Sequence, residues 1–272
     1  MTRPRLLRLS QVRKIEGVDS QETDPPFGID FGGSGIKGAP VDLTVGDFAA
    51  DRVKIKTPKP STPEAVAEVF VELLGRFPDS RGAVGVTVPA VVRHGVVSSA
   101  ANIDQAWIGT DADALFTKAT GRDVHVVNDA DAAGLAEVRY GAAKGRHGLV
   151  IVTTLGTGIG SAIVYDGVLV PNSELGHLEI DGYDAESRAA SSVKENEGLS
   201  YPEWAERLTV YYRTVERLFS PDLIVVGGGV SKDSDQFLHL VDIETEIVPA
   251  KLQNRAGIVG AALWAVEAQD ER

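Results

Sequence analysis

The chain has 272 residues, 43% of them apolar, and its 39 acidic against 27 basic side chains give a formal charge of -12. That is enough for one large domain or two ordinary ones with real cores, and the acidic balance speaks against a nucleic-acid or anionic-membrane binder that works by bulk attraction. The absence of cysteine excludes disulfides, thiolate catalysis and Cys-ligated zinc and points to a reducing, bacterial-type cytoplasm, while no apolar run reaches membrane-spanning length and no signal-peptide h-region opens the chain.

Residues 1–26 mix Arg3, Arg5, Arg8, Arg13 and Lys14 with Glu16, Asp19, Glu22 and Asp24 before Pro25 and Pro26, the composition of a flexible tail. Order is expected from a short strand over 27–31, with a hairpin partner over 39–43 across a glycine loop and a third strand over 52–56. Thr62 and Pro63 form an N-cap and N1 pair, and Val66, Phe70, Leu73 and Phe77 fall on one face of the helix that follows. A buried strand is expected over 83–88. The second half repeats this grammar: a strand over 124–127, a small-residue helix over 129–140, and an apolar strand over 149–155 that ends in another glycine loop. Strands over 161–164 and 168–170 precede a capping box, Ser200 with Glu203, which opens a helix carrying Trp204, Leu208, Tyr211, Val215 and Leu218. A strand over 223–226 runs into Gly227, Gly228 and Gly229. Alternating strands and helices in two similar halves predict an α/β protein of two lobes with a cleft between them.

The glycine loops narrow the chemistry. In "FGIDFGGSGIKGAP", residues 27–40, Lys37 is followed by Gly38 and another strand, whereas the P-loop needs G-x-x-x-x-G-K-[ST] and a helix. In "TLGTGIGSA" the glycines at 156, 158 and 160 are spaced G-x-G-x-G, and strand-like "SAIVYDGVLV" stands where a dinucleotide fingerprint would open a helix. Both loops read as strand-turn-strand hairpins whose backbone N–H groups face an anion, with glycines supplying positive φ and close approach. Either alone could be a plain hairpin turn; two of them with the later "GGG" suggest a grip on one phosphate chain from both sides.

"GIDFGGSGIKG", "NDADAAGLAE", "TLGTGIGSA", "ELGH" and "IVVGGGVS" occur in the order found in sugar kinases of the ROK family, which the chain resembles from residue 27 to about residue 266. "VPNSELGHLEIDGYDAE" and "VPAKLQNRAGIVGAALWA" resemble its polyphosphate/ATP-dependent glucokinase branch, which includes glucomannokinase. The resemblance implies the two-lobed actin/hexokinase-like, ribonuclease H-like fold, with a small lobe over 27–127, a helix over 256–268 packing back on it and a large lobe over 128–255. It implies phosphoryl transfer from inorganic polyphosphate or ATP to the 6-hydroxyl of glucose, with mannose as a further acceptor, in a monomer or homodimer that binds neither nucleic acid nor membrane.

Such a reaction needs a base, Mg²⁺ and donors for the transferred group. Asp129, at a strand end where a helix begins, is the expected base, although a helix N-cap is the other use of an aspartate there. Asn128 offers a donor and an acceptor to neighbouring sugar hydroxyls. Glu174 and His177 are the sugar pair that the family motif implies, against a solvated acidic loop as the alternative. Many relatives place a Cys-rich zinc site after this histidine. None is expected here, and Glu186 takes the place of the glutamate that closes that segment, while Asn102 matches the sugar-contacting asparagine of the small lobe. Asp30 is the expected partner of hydrated Mg²⁺. Gly32, Gly33, Ser34 and Lys37 are expected on one part of the phosphate chain, Gly156, Thr157 and Gly158 on the other, and Gly227, Gly228 and Gly229 resemble the adenosine motif.

Arg52, Lys54 and Lys56 alternate with Val53 and Ile55, so three cations share one strand face, with Lys59 beyond. The stripe is either a guide for a long polyanion or the lysine protection of an edge strand. Two other functions fit the same motifs. One is an ATP-only ROK kinase for fructose or N-acetylmannosamine. The other is a ROK regulator that binds sugar without phosphorylating it, for whose DNA-binding domain a 26-residue leading segment is too short.

Overall fold

The computed structural model describes residues 24–101 and 103–270. Most of the segment read as a tail, and Asn102, lie outside the described residues. The chain forms two compact units: one runs to Ala136 and takes back the chain from Arg255, and the other holds Glu137–Asn254. The division between these units falls inside a helix, at Ala136 and Glu137.

The first unit contains β1 (Phe27–Phe31), β2 (Ile36–Asp42), β3 (Asp47–Phe48), β4 (Val53–Ile55), α1 (Pro63–Gly75), β5 (Val84–Val88), β6 (Val92–Arg93), β7 (Val96–Val97), α2 (Ala112–Thr120) and β8 (Val124–Asn128). Its sheet has the order β3-β2-β1-β5-β8, with β4 also paired to β2. β1 and β2 are antiparallel, whereas β1, β5 and β8 are mutually parallel, with Asp30 opposite Thr87 and Val88 opposite Asn128. Their carboxyl ends therefore share one sheet edge, where α/β folds place ligands. β2 begins at Ile36, three residues earlier than predicted, because pairing with Phe31 continues up to the glycine loop. Lys37 is accordingly a strand residue.

Thr62 caps α1, accepting from the Ala65 N–H at 3.3 Å with Pro63 at the helix start, and Val66, Phe70 and Leu73 are buried. Phe77 lies beyond the helix and packs edge-on against Phe27, centroids 5.1 Å apart. Phe31, Trp107, Phe116 and Phe70 form a run of ring contacts through this core, each pair worth about 0.5–1.5 kcal/mol beyond its buried area.

The helix α3 (Asp129–Tyr140) follows β8 directly, and the second unit then builds β9 (Leu149–Leu155), β10 (Ile159–Tyr165), β11 (Val168–Val170), β12 (Glu179–Ile180), β13 (Tyr183–Asp184), α4 (Glu186–Ala189), α5 (Ser191–Glu197), α6 (Tyr201–Phe219), β14 (Leu223–Gly227) and β15 (Ile247–Pro249). Its sheet has the order β11-β10-β9-β14-β15. The predicted capping box of Ser200 and Glu203 opens α6, whose Trp204, Leu208, Tyr211, Tyr212 and Val215 are buried. Leu218 is not part of that stripe, being 57% exposed; in the last turn Phe219, four residues after Val215, packs on the core instead. No helix among the described residues is long and apolar enough to cross a membrane.

α7 (Ala256–Asp270) returns to the first unit and runs across β1, β5 and β8. Glycines make this approach possible: a Cβ on Gly28 would stand 1.9 Å from the Ile258 carbonyl oxygen, one on Gly85 1.7 Å from that of Ala261, and one on Gly260 1.8 Å from that of Ala132. Backbone on both sides leaves nothing to rotate away. Gly85→Ala is expected to destabilise the protein by about 1–3 kcal/mol, as overpacking does. Gly75→Ala, whose Cβ meets nothing within 4 Å, is expected to stabilise it by about 0.5 kcal/mol. Paired thermal melts check the contrast.

Candidate active site

Asp30, one residue before the end of β1, has both carboxylate oxygens engaged: Lys37 Nζ donates to Oδ2 at 3.0 Å, and Thr87 Oγ1 donates to Oδ1 at 3.3 Å. The pairing of β1 with both β2 and β5 fixes these contacts, since Asp30 is opposite Lys37 on one side and Thr87 on the other. Thr87 is fully buried and its hydroxyl also accepts from the Phe31 N–H at 3.2 Å. Lys37 spends one of its three donors on Asp30. The loop after β1 closes through reciprocal Gly32–Gly35 backbone bonds of 3.3 Å, while Gly33 and Ser34 are exposed and their N–H groups bond to no described residue. Two adjacent N–H groups that bond to no described residue have the arrangement by which a backbone concavity can take an anion.

Gly32, Gly33 and Gly35 are not in the left-handed region, contrary to the sequence expectation. Space is a reason for glycine at Gly35 and, less tightly, at Gly32, whereas a Cβ on Gly33 would meet nothing within 4 Å. A Cβ on Gly35 would lie 2.3 Å from Lys54 Cε, and one on Gly32 3.1 Å from the Gly35 oxygen.

At the next parallel strand end, Asn128 rather than Asp129 caps α3. Its Oδ1 accepts from the N–H groups of Ala130 at 2.8 Å and Asp131 at 3.0 Å, and its Nδ2 donates to Ala90 O at 3.0 Å. Asn128 is buried and its oxygen is engaged by the helix, while the bond to Ala90 uses one of the two Nδ2 protons. Asp129 occupies the first turn, half-buried, with Oδ1 accepting from the Ala130 N–H at 2.9 Å.

In the second unit the β9–β10 hairpin is held from behind. The Gly156 carbonyl accepts from Ser192 N at 3.0 Å and Ser191 Oγ at 3.1 Å, and the Thr157 carbonyl accepts from Ser192 Oγ at 2.7 Å. The N–H groups of Thr157 and Gly158 bond to no described residue. Glu186 Oε2 accepts from the Ile159 N–H at 3.0 Å and leaves no room for a Cβ on Gly158, which would come within 2.2 Å. One oxygen of Glu186, a residue expected to contact sugar, is thus committed to the β9–β10 hairpin. Gly227 pairs opposite Thr154, and Gly228, at φ 87°, is the one position in "GGG" that needs glycine, for its conformation and because a Cβ would lie 2.2 Å from Leu155 O.

Glu174 and His177 come together as the motif suggested, with His177 Nε2 3.9 Å from Glu174 Oε2. Burial holds the Glu174 carboxyl above its usual range, against the opposing pull of His177, and Glu186 adds to the rise. The partner that the sequence reading missed is Asp184. Its Oδ2 lies 2.9 Å from His177 Nδ1, and its Oδ1 accepts from the Glu186 N–H at 3.3 Å. The Asp184 hydrogen bond raises the His177 pKa above its ordinary 6.5, with Glu186 and Glu174 adding to the rise against burial. One ligand atom each from His177, Asp184 and Glu186 lies within 4.8 Å of the others, a set that could hold a cation only by giving up the His177–Asp184 bond. A two-residue turn places Asp184: Asp181 and Gly182 have φ of 53° and 78°, folding β13 onto β12 so that Asp184 stands opposite Glu179.

A pH prediction follows. A histidine whose folded pKa exceeds its unfolded value stabilises the fold below the unfolded pKa and stops doing so as pH rises through the folded one. In Asp184→Asn the His177 pKa should fall, and the stability gap to the parent should be widest below about pH 6.5 and narrow at higher pH. Titration of the His177 ring resonances by NMR, with melts over the same range, checks both; an unmoved His177 pKa contradicts the pairing.

The pattern of the ROK family matches residues 26–197. The chain belongs to the ROK family. Among its relatives, the polyphosphate glucokinase of Mycobacterium tuberculosis is 53% identical over 241 residues, 88% of this chain and 91% of that one. The inorganic polyphosphate/ATP-glucomannokinase of an Arthrobacter species superposes with a TM-score of 0.86 at 52% identity, covering 90% of this chain and 99% of that structure. A ROK glucokinase of Streptomyces griseus, solved with glucose and AMPPNP, is 24% identical with a TM-score of 0.76 over 89% of this chain and 99% of its own, and so shares the fold. The two mixed sheets are those of the two-lobed, hexokinase-like ROK fold that the motifs implied.

Proposed function

We propose that this ROK protein is a phosphotransferase that moves a phosphoryl group from inorganic polyphosphate or ATP to the 6-hydroxyl of glucose, and also accepts mannose. The likeness to a polyphosphate glucokinase at 53% identity over 88% of the chain carries this reading, and the glucomannokinase likeness supports both donors and the second sugar.

Asp129 is assigned as general base, taking the proton of the acceptor hydroxyl as the oxygen bonds to phosphorus. Asn128 fixes the backbone that presents Asp129. Glu174 and the His177 ring, oriented by Asp184, are assigned to sugar hydroxyls, with Asn102 and the second oxygen of Glu186 as further contacts. The N–H groups of Gly33 and Ser34, with Gly32 and Lys37 beside them, and those of Thr157 and Gly158 after Gly156, are assigned to phosphoryl oxygens. Gly227, Gly228 and Gly229 flank the nucleotide when ATP is the donor.

Mg²⁺ suits the Asp30 site. One carboxylate, set by Lys37 and Thr87 and flanked by bare loop N–H groups, matches an ion that takes one or two carboxylates plus phosphate oxygens and water. When bound, Mg²⁺ neutralises developing charge on the transferred group. The protein works in the cytoplasm on small-molecule partners.

Initial rates over a panel of glucose, mannose, fructose and N-acetylmannosamine, each with polyphosphate and with ATP, test the assignment. The highest kcat/KM should belong to glucose with both donors supporting turnover. Preference for fructose or N-acetylmannosamine with ATP alone would overturn it.

A further inference from the structure

The basic strand of the sequence reading is fastened to the first glycine loop. β4 lies beside β2 with Ile55 opposite Ile36, Lys54 opposite Lys37 and Val53 opposite Gly38. Val53 and Ile55 pack on the core, Lys54 between them is exposed, and Arg52 and Lys56, which flank the strand, are exposed as well. Thr57 Oγ1, just past the strand, donates to the Gly32 carbonyl at 2.6 Å. The Lys54 stem lies across Gly35, where a Cβ would come within 2.3 Å of Cε and 3.3 Å of Cδ.

Edge protection needs only charge somewhere along the strand. It requires neither a glycine beneath one lysine nor a threonine tether to the loop. Both features make sense if the cations must keep a fixed position relative to the loop's free N–H groups. Side chains two apart on a strand are about 6.6 Å apart, so the three cations span roughly 13 Å, the reach of several linked phosphates. On a chain of net charge -12, such a row is a local exception to the field around it.

We propose that the outer face of β4, Arg52, Lys54 and Lys56, is a subsite for the trailing phosphates of an inorganic polyphosphate chain whose reacting end is held at the Gly32–Gly35 loop. This rests on the polyphosphate-donor reading above. A short donor, or ATP with its nucleoside beyond the third phosphate, has no phosphates to lay along the strand. The subsite therefore acts on chain length.

The test uses the full chain with Arg52→Gln/Lys56→Gln, Lys54→Gln and the charge-preserving Arg52→Lys/Lys56→Arg. For each, kcat/KM is measured at saturating glucose with long-chain polyphosphate, tripolyphosphate and ATP over a salt series, with melts and light scattering alongside. The glutamine variants should lose about 5-fold per removed charge with the long chain, a loss several-fold larger than with the short donors. The log–log salt slope should flatten by roughly 0.7 per charge. The charge-preserving variant should keep parental values. Equal losses with all three donors, or folded variants that self-associate while long-chain kcat/KM holds, would overturn the subsite in favour of general destabilisation or edge protection. A parent protein active with ATP and inert with every polyphosphate would remove the donor reading itself, which the variant comparison alone cannot do.

Discussion

Asp129→Ala should fold normally and lose roughly 10² to 10⁴ in kcat, the contribution of a positioned general base. The two halves of this expectation rest on different residues. Catalysis is assigned to the Asp129 carboxylate, at the carboxyl edge of the parallel strands together with Asp30. The helix start belongs to Asn128, whose Oδ1 takes the Ala130 and Asp131 N–H groups. Removing Asp129 therefore costs α3 one first-turn charge, about 0.3–1 kcal/mol, and not its cap. Asn128→Ala should show the larger stability loss, with about 1 kcal/mol for the cap plus the unpaired Ala90 carbonyl. Steady-state kinetics beside thermal melts separate the two variants. Near-normal turnover in folded Asp129→Ala would take Asp129 out of the mechanism.

The largest stability effect is expected at Glu137. Its side chain is 1% exposed, and its carboxylate accepts from the N–H groups of Ala142 at 2.7 Å, Lys251 at 3.1 Å and Leu252 at 2.7 Å. It begins the second unit, and Lys251 and Leu252 stand just before Asn254, where that unit ends. One side chain thus ties the entry and exit of the unit together. Glu137→Ala takes the acceptor from three N–H donors, that of Leu252 buried and the other two partly so, at a cost of about 3–5 kcal/mol. Glu137→Gln, which keeps an acceptor oxygen, should lose less. Urea denaturation reads the difference, and a loss under about 1 kcal/mol for the alanine variant would contradict the staple.

Elements with strong local signals were legible in the sequence. Thr62 with Pro63, the Ser200–Glu203 box and the helix over 129–140 stand where they were read, because caps and turn periodicity act within a few residues. α2 was overlooked although both its ends carry signals, an Asp111 cap and Gly121 at φ 66°. The acidic run after His177 hid another, since Asp181-Gly182 is a two-residue hairpin turn that folds Asp184 back toward His177. Thr87 left no local trace: its contact with Asp30 depends on strands 57 residues apart falling into register. Of the two uses expected for the loop glycines, close approach holds at Gly35 and Gly158, beside Lys54 and Glu186, and positive φ holds only at Gly228. Which of two neighbouring residues caps a helix is likewise a three-dimensional fact: the cap that the sequence offered as the alternative use of Asp129 is made by Asn128.

The most direct measurement follows phosphorus itself. With glucose, Mg²⁺ and inorganic polyphosphate present and nucleotide absent, ³¹P NMR should show a glucose 6-phosphate resonance growing as the polyphosphate signals decline, and Asp129→Ala should suppress it. Release of orthophosphate without glucose 6-phosphate, or no change with polyphosphate while ATP supports the reaction, would contradict polyphosphate-driven transfer to the sugar.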